Sequence, residues 1–543
     1  MTATRFGRSR PAVALAIGIA ALSCGVSAQA AWHATSSKAH ILENAVELGA
    51  LPASRTLHVA IGLKLQNEAA LDAFLVRQHT LGFRDYGTAL SSEEFTGTYA
   101  VTPRQAQTVV DYLVRAGFQN VTVAANRLLI TADARPSQIE AAFNTRLAQF
   151  KLGNRQVFAN KADVSIPDAL NGLVTAVLGL QNADLAQPMI EYPTATTQAS
   201  TAGHVPTAFA AIYNATSVAT GSATDIGIVT DGNLTQTVAD LRTFESQNGL
   251  TPVNLVFRPA EINGTDTSGL DEWALDSQSS TGIAGTVKDI YFYNAASLSD
   301  ADLSAAYNLA VSDNKVKAVN VSLGICEKSS NSSGEMATDD LIFKSASALG
   351  ITFFVSSGDG GYKTGCSGHT GLFKAVSYPA SSPYVVAVGG TTLSTNGNVW
   401  AGETAWKSGG GGVSVYETAQ PYQQSVTGSA KREVPDVAMD ADPNSGALVI
   451  VNGASAQIGG TSLSAPLSTG TWARVQSSHG NSLGFAAPLL YAAAGKTPAP
   501  YHDVTSGNNG LPLLGGYSAK AGFDETTGWG TFDIASFNTV VGH

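Results

Sequence analysis

The chain has 543 residues, of which 44% are hydrophobic and 13% are charged, and its formal net charge is -11. The acidic balance argues against nucleic acid and anionic membrane surfaces as partners, because both would repel the protein. Length and apolar content provide for a large core and about three domains, which favours a globular enzyme over a binding tail.

Residues 1–30 have the order of a secretory signal peptide. Arginines precede an apolar run at 12–22, and small residues lead to Ala30, after which we expect cleavage. A lipoprotein signal through Cys24 is the weaker alternative. No later run is long and apolar enough to cross a membrane. We therefore expect a soluble mature protein that is secreted, either directly or through a periplasm.

Residues 31–183 are expected to form a separate α/β sandwich of the ferredoxin-like kind, with an antiparallel sheet. The pattern predicts a strand at 58–63, helices at 67–78, 102–116 and 136–143, and one or two strands within 121–130. This region contains no obvious catalytic cluster. The stretch at 184–203 is rich in Ala, Thr, Gln and Pro, so we interpret it as a cleavable linker. A domain ahead of such a linker in an exported enzyme is often a propeptide.

Residues 204–543 show a different pattern, in which short apolar strands alternate with helices. The predicted strands are 225–229, 253–257, 289–293, 318–322, 351–355 and 384–388, and the predicted helices are 235–247, 301–312 and 335–348. Near-continuous apolar strands of this kind favour a parallel sheet with helices on both faces. Ligand sites in such sheets collect at the carboxyl ends of the strands.

A pair of carboxyl groups follows the second of these strands. Glu272 and Asp276 are four residues apart in a predicted helix, so they share one face. Two like charges at this spacing repel each other unless one carboxyl holds a proton or the pair titrates together. The alternative is an ordinary solvated helix face.

A third acidic residue, Asp359, lies in a glycine-rich turn after the strand at 351–355. A protonated carboxyl there can donate a hydrogen bond to an oxyanion, which a carboxylate cannot do. A purely structural turn is the alternative.

The nonapeptide at 458–466 places Ser462 after two glycines and Thr461, at the expected start of a helix. Backbone N–H groups and the helix dipole favour a developing negative charge at that position, as a nucleophile attacking a carbonyl requires. An ordinary helix cap with Pro466 in the first turn is the alternative.

The remaining cysteines form an even pair. Once Cys24 leaves with the signal peptide, Cys326 and Cys366 remain. In an oxidising compartment they predict one disulfide, worth about 2–4 kcal/mol. Two unpaired buried thiols are the alternative.

The carboxyl pair Glu272 and Asp276, the turn at Asp359 and the nonapeptide around Ser462 together resemble motifs of the sedolisins, the serine-carboxyl peptidases. The resemblance is strongest to their bacterial pseudomonalisin and xanthomonalisin type. The resemblance implies a subtilisin-like fold with Ser462 as nucleophile and Glu272 as general base and acid. It further implies that Asp276 orients Glu272 and that Asp359 supplies the oxyanion donor beside the Ser462 backbone N–H. A self-processing zymogen is expected, in which the propeptide serves as intramolecular inhibitor and chaperone. The expected substrates are unfolded or extended proteins, and we expect a monomer.

The family also implies one calcium ion near the C-terminus. By similarity, its ligands are the carboxylates of Asp503 and Asp524 and the backbone carbonyls of Val504, Lys520 and Gly522. An oxygen-only set suits this hard cation. The sequence departs from the usual pattern at Lys520, where glycine is common. A glycine-rich turn without metal is the alternative.

A carboxylate base in place of histidine predicts activity in acid, between roughly pH 3 and 5, where an imidazole would be protonated. Two segments resemble elements that line the family's substrate cleft, namely 409–416 and the strand edge at 322–324. We expect maturation between 182 and 204.

Two other functions compete with this interpretation. A conventional subtilase would use Asp231 and a histidine, but no histidine has a His-Gly-Thr-like setting, and His369 and His479 are isolated. A secreted binding protein on an inactive peptidase fold is the non-enzymatic alternative, and the presence of all four candidate catalytic residues argues against it.

Overall fold

The computed structural model describes residues 7, 31–42, 44–193, 203–259, 264–363, 375–510 and 516–542. Apart from residue 7, the predicted signal peptide lies outside these ranges, as do residues 194–202 of the predicted linker, Cys366 and His369. None of the helices in the described ranges combines the length and apolarity that a membrane crossing requires.

The N-terminal part of the chain is an α/β sandwich, as predicted. Its antiparallel four-stranded sheet has the order Gln119–Val123, Leu129–Ala134, Leu57–Leu63, Val174–Leu178. The helices of this part are Glu68–His79, Ser92–Thr98, Pro103–Arg115 and Pro136–Phe143. The remaining strands are Trp32–Ala34, Val46–Ala50, Leu147–Leu152, Arg155–Asn160 and Ser165–Pro167.

Local signals explain why the predicted helices form where they do. Thr102 caps the helix Pro103–Arg115 by accepting a hydrogen bond from the backbone of Gln105, whose side chain bonds back to Thr102. The helix Ser92–Thr98 was not predicted, although Ser91 and Glu94 form the same kind of capping box there. Ser and Glu three residues apart are the sequence signature of this motif.

The C-terminal part is built on an eight-stranded sheet. The strands are, in spatial order, Asn254–Arg258, Asp289–Ala295, Ile226–Asp231, Ala318–Val321, Thr352–Ser356, Val386–Asn396 and Val399–Ala405, and Val437–Asp440 also pairs with Val386–Asn396. Only Val399–Ala405 runs antiparallel to its neighbour. Every residue of the strands 226–231, 318–321 and 352–356 is buried, which is typical of a parallel sheet covered on both faces.

Two pairs of helices pack beside this sheet. The first pair is Leu270–Ala284 and Thr461–Ser478, which contact each other along their length. A Cβ atom on Gly470 would lie 2.4 Å from the Ser280 carbonyl oxygen, so glycine permits this close approach. The second pair is Asp300–Asp313 and Glu335–Ala348. The remaining helices here are Phe209–Ile212, Thr235–Gln247, Glu327–Ser333, Pro421–Thr427, Ala486–Ala493 and Ile534–Val540.

Several short strands complete this part of the chain, and apart from the edge at 322–324 they were not predicted. They are Gln187–Pro188, Leu323–Cys326, Ser377–Tyr378, Gly412–Thr418, Lys431–Val434, Ala447–Val451, Ala454–Ile458, Tyr501–His502 and Thr531–Phe532. Most are only two to five residues long, too short for an apolar alternation to be recognised in the sequence.

The N-terminal sheet packs on the second helix pair through small residues. Ala60, Ala176 and Ala301 belong to one buried apolar cluster at this contact. Asn126 and Asn308 exchange side-chain amide hydrogen bonds of 2.7 and 3.2 Å, and both are buried. Small side chains and paired polar groups therefore allow the two parts to approach closely without leaving buried amides unsatisfied.

A salt bridge lies near the edge of the same contact. Lys344 is buried, and its ammonium group lies 2.8 Å from the Glu68 carboxylate and 2.7 Å from that of Asp72. Both carboxylates are about half exposed, so these pairs orient the contact more than they stabilise it.

Gly62 tests how tightly the two parts fit. A Cβ atom there would lie 2.6 Å from the Thr338 hydroxyl oxygen, so we expect Gly62→Ala to destabilise the full-length Ser462→Ala protein by about 1–3 kcal/mol. The measurement is the thermal unfolding midpoint. Gly97→Ala is the matched control, because among the described atoms nothing lies within 4 Å of that position. Equal midpoints for the two variants would contradict the close fit.

Candidate active site

Ser462 lies in the first turn of the helix Thr461–Ser478 and is fully buried. Gly460 precedes the helix with a φ of 97°, a left-handed conformation that favours glycine. A Cβ atom on Gly460 would also lie only 2.2 Å from the Met189 carbonyl oxygen. Gly460 therefore leaves room for a peptide carbonyl beside the start of the helix.

Glu272 and Asp276 face this serine from the neighbouring helix. Both side chains are buried, with 1% and 0% exposure, so the alternative of a solvated helix face is wrong. Burial raises the pKa of Glu272 well above its ordinary value, and the charge of Asp276 raises it further. The hydroxyls of Ser462 and Ser322 oppose this shift. Burial likewise raises the pKa of Asp276, so the buried environment favours a proton on the pair.

Ser322 connects the carboxyl pair to the serine. Its hydroxyl donates to Asp276 Oδ1 at 2.6 Å, and its carbonyl oxygen accepts a 3.3 Å hydrogen bond from the Ser462 hydroxyl. Asn320 supports this arrangement by donating its amide N–H to Ser322 Oγ at 3.1 Å. Ser322 was predicted only as part of a substrate-binding edge, and no role was predicted for Asn320. Their position at the carboxyl end of a predicted strand was the available signal.

Asp359 is held by Thr461, the residue before the nucleophile. Asp359 Oδ1 accepts hydrogen bonds from the Thr461 backbone N–H and hydroxyl, both at 2.8 Å. Burial raises the pKa of Asp359 to about 8. The hydrogen bonds from Thr461 lower this pKa in part, and the charge of Glu191 raises it. Asp359 Oδ2 is buried and has no hydrogen-bond partner among the described residues. Below pH 8, Oδ2 therefore offers a proton to whatever enters this space.

The space beside Asp359 is an oxyanion hole in its geometry. The Ser462 backbone N–H donates to the Met189 carbonyl oxygen at 2.9 Å. The point where a Gly460 Cβ would stand is 2.2 Å from that oxygen and 2.6 Å from Asp359 Oδ2. The Ser462 N–H thus contacts this carbonyl, and the carboxyl oxygen of Asp359 lies nearby, a pair of groups suited to stabilising a tetrahedral oxyanion.

Histidine takes no part in the described contacts of Ser462. His479 follows the end of the helix that begins at Thr461, so about 25 Å of helix separates it from Ser462. Asp231, the aspartate that a conventional subtilase would use, is buried. Burial is the main cause that raises its pKa to about 6, and the charges of Asp266 and Asp302 raise it further. The described residues therefore supply carboxyl groups, and not an imidazole, to the hydroxyl.

Two segments predicted to line the cleft also lie at this site. Gly410 packs on the loop that carries Asp359, because its N–H donates to the Gly358 carbonyl oxygen at 2.6 Å. The strand edge predicted at 322–324 carries an extended chain segment, Gln187–Pro188, in antiparallel pairing. Both segments thus border the space in front of Ser462.

The predicted calcium ligands lie in one loop region. Asp503 Oδ2 accepts from the Gly522 N–H at 2.9 Å, and Asp524 Oδ2 accepts from the Lys520 N–H at 3.0 Å. Lys520 is absent from the positive-φ residues, so a lysine in place of glycine imposes no backbone strain. In the described ranges, no cluster of three or more His, Cys, Asp or Glu side chains is arranged for a metal. Two carboxylates with neighbouring peptide carbonyls still form an oxygen-only set that suits calcium.

The predicted disulfide remains a prediction. Cys326 is buried at the end of the strand Leu323–Cys326. Its expected partner, Cys366, lies outside the described residues.

Comparison with known proteins decides the family. Residues 43–183 match the family described as "Pro-kumamolisin, activation domain", and residues 262–530 match the subtilase family. Sedolisin of Pseudomonas sp. (strain 101) is 42% identical over 97% of this chain and 96% of its own length. The chain belongs to the sedolisin family.

Two further sedolisin-family comparisons agree. Xanthomonalisin of Xanthomonas sp. (strain T-22) is 42% identical over 90% of this chain, which spans 66% of xanthomonalisin's length. A structure of Pseudomonas sedolisin, a serine-carboxyl proteinase complexed with two molecules of pseudo-iodotyrostatin, has a TM-score of 0.60 and 43% identity. It covers 63% of this chain and 98% of that chain. The expected family, subtilisin-like fold and serine-type peptidase class are confirmed.

Asp359 provides a test of the oxyanion hole. We expect Asp359→Ala to lower kcat on a peptide substrate by about 10²- to 10³-fold, because one of two oxyanion donors is lost. Asp231→Asn is the control, since Asp231 is also a buried carboxyl with a raised pKa but has Asp266 and Asp302 as its acidic neighbours. Comparable losses in both variants would contradict the assignment.

Proposed function

We propose that the chain is a secreted, acid-active endopeptidase that is made as a self-processing zymogen and cleaves peptide bonds through an acyl-enzyme on Ser462. The observation that supports this most is the buried convergence of one hydroxyl, a carboxyl pair and a separate carboxyl donor around one peptide carbonyl. Unfolded or extended proteins are the substrates that an extended cleft would accept.

In the proposed acylation, Ser462 Oγ attacks the scissile carbonyl carbon and its proton passes to Glu272. The hydroxyl now points to the Ser322 carbonyl oxygen, so it must first rotate towards Glu272. The negative charge on the carbonyl oxygen is stabilised by the Ser462 N–H and by protonated Asp359. Glu272 then returns the proton to the leaving nitrogen as the C–N bond breaks.

In the proposed deacylation, water takes the place of the departed amine. Glu272 accepts a proton from this water as its oxygen attacks the ester carbonyl, and the same oxyanion donors act again. Collapse of the intermediate returns a proton to Ser462 Oγ and releases the new carboxyl terminus. Asp276, held by Ser322, orients Glu272 and keeps part of the pair's charge close to it.

The pH range follows from the state of the cleft. Glu272 must be ionised to act as a base, and Asp359 must be protonated to act as a donor. Burial in the filled cleft raises the pKa of both groups. An open cleft admits water, which removes part of this shift and brings both groups nearer to their ordinary values. We therefore place the optimum of the free enzyme between roughly pH 3 and 5.

Several properties outside the active site belong to the same proposal. Residues 1–30 would direct export and be removed, and the disulfide between Cys326 and Cys366 would form in the oxidising compartment beyond. The propeptide would inhibit and assist the folding of its own catalytic part, and the mature enzyme would act as a monomer.

Calcium is proposed as a structural cofactor. Asp503 and Asp524 would supply carboxylates, and Val504, Lys520 and Gly522 would supply backbone carbonyls. The cation would neutralise the two carboxylates and tie the segment at 503–504 to the turn at 520–524. No step of catalysis requires it.

The pH profile tests the carboxyl-based mechanism. We expect kcat/KM of the mature enzyme on a denatured protein to be bell-shaped, with its maximum between roughly pH 3 and 5. The limbs of kcat should lie at higher pH, since kcat reports the filled cleft, where both pKa values are raised. Ser462→Ala and Glu272→Ala should each abolish the activity. A Ser462-dependent optimum at neutral or alkaline pH would overturn the proposal, and Ser462-independent hydrolysis would favour a contaminant.

The calcium site is tested through stability. We expect calcium to raise the thermal unfolding midpoint of the Ser462→Ala zymogen, since a ligand that binds only the folded state adds about 2.7 kcal/mol at a hundred times its Kd. Asp524→Asn should remove this response. Asp163→Asn should keep it, because Asp163 is an exposed residue of the N-terminal part of the chain. A midpoint that is insensitive to calcium and chelator would exclude the site.

A further inference from the structure

The first half of the predicted linker, residues 187–192, lies across the active site as an extended strand. Gln187 and Pro188 pair antiparallel with the strand Leu323–Cys326. The Met189 N–H donates to the Ser322 carbonyl oxygen at 3.1 Å. Backbone pairing thus holds the segment in a fixed register up to the residue that faces Ser462.

The segment is held on the other side of Ser462 as well. Glu191 exchanges two backbone hydrogen bonds with Gly459, at 3.2 and 2.9 Å. The Tyr192 hydroxyl donates to the Asp271 carboxylate, one residue before Glu272. Anchors on both sides leave the peptide bond between Met189 and Ile190 in front of the nucleophile.

The register of this strand selects one carbonyl. Among the described backbone hydrogen bonds, the Ser462 N–H donates to the carbonyl oxygen of Met189, at 2.9 Å. The same oxygen borders the space into which Asp359 Oδ2 points, beside Gly460. The hydrogen bond from the Ser462 N–H polarises this carbonyl for attack, and Asp359 Oδ2 lies close by without a hydrogen-bond partner of its own among the described residues.

The Met189 side chain occupies a pocket of its own. It is 7% exposed, and its Cε atom lies 2.5 Å from the point where a Cβ on Gly324 would stand. Ser377 Oγ lies 2.2 Å from the same point. The pocket is therefore open only because residue 324 is glycine, and it accepts an unbranched, flexible apolar side chain.

We infer that the bond between Met189 and Ile190 is the first bond that the zymogen cleaves, and that it is cut by Ser462 of the same molecule. This inference rests on the proposed function and specifies its first substrate. It also places the initial cleavage at the start of the linker, inside the range of 182–204 expected for maturation. Any other cut within the linker would follow it.

The chemistry of this step balances within the site. Ser462 Oγ bonds to the Met189 carbonyl carbon while its proton moves to Glu272. The bond from that carbon to the Ile190 nitrogen then breaks, and the nitrogen takes the proton to become a free amine. Water hydrolyses the ester, which leaves a carboxylate on Met189 and restores the Ser462 hydroxyl. No co-reactant other than water is needed.

The test follows the earliest products of the full-length zymogen. Purified protein is incubated at a series of pH values from 3 to 8, and the fragments are identified by N-terminal sequencing and intact mass. We expect the first new N-terminus to be Ile190, with a first-order rate that does not change on dilution. A first cut elsewhere, or a rate proportional to protein concentration, would overturn the inference.

Three variants sharpen this experiment. Ile190→Pro should slow the first cut by about a hundredfold or more, because a misplacement of the reacting atoms by 1 Å costs about that much. Met189→Leu should retain the cut, since the exchange of methionine for leucine nearly conserves side-chain volume and apolarity. Ala199→Pro, in the linker, should leave the first N-terminus at Ile190. Unchanged processing in Ile190→Pro would contradict the inference.

A separate assay distinguishes the inference from the function on which it rests. Each preparation is also tested on an added denatured protein, with Ser462→Ala as the blank. Ser462-dependent hydrolysis together with a first cut elsewhere would reject the inference and leave the proposed function standing. Absence of any Ser462-dependent hydrolysis across the pH series would reject the proposed function first, and the inference with it.

Discussion

The close packing of two helices is the constraint on which the site depends. Gly470 lets Thr461–Ser478 approach Leu270–Ala284 until backbone atoms nearly touch, and this contact places the carboxyl pair of one helix beside the hydroxyl at the start of the other. Since water is excluded there, charge on Glu272 is costly, and its protonation responds strongly to whatever fills the cleft. Ser322, between the helices, links the pair to the serine with one hydroxyl and one carbonyl.

The strand that fills the cleft has a double effect. It supplies the backbone partners that the cleft lacks when empty, and it keeps water away from Glu272 and Asp359. Burial raises the pKa of Glu272, so in the buried site this base keeps its proton to a higher pH than an exposed glutamate would.

The contact between the two parts of the chain contains groups that titrate in opposite directions. Asp300 accepts a hydrogen bond from the Gly179 N–H, and burial raises its pKa to about 6. Its contribution to the stability of the folded chain is therefore full in acid and is lost as the pH rises through 6. His79 packs on the rings of Tyr422 and Phe485, and burial lowers its pKa to about 4. Its contribution to the stability of the folded chain is full above the ordinary pKa of 6.5 and is lost as the pH falls through 4. Between these values the two effects partly cancel.

The amino-acid sequence alone determined the elements and the chemistry. Apolar runs of strand length, capping residues and the spacing of Glu272 and Asp276 are local properties, so the main parallel strands, most helices and the candidate catalytic groups could be predicted from them. The family resemblance then assigned their roles. The short strands, the roles of Ser322 and Asn320, and the register of Met189 against Ser462 depend on contacts between residues far apart in the chain. Only the tertiary structure decided these, because register is set where distant backbones meet and leaves no periodic signal in either segment.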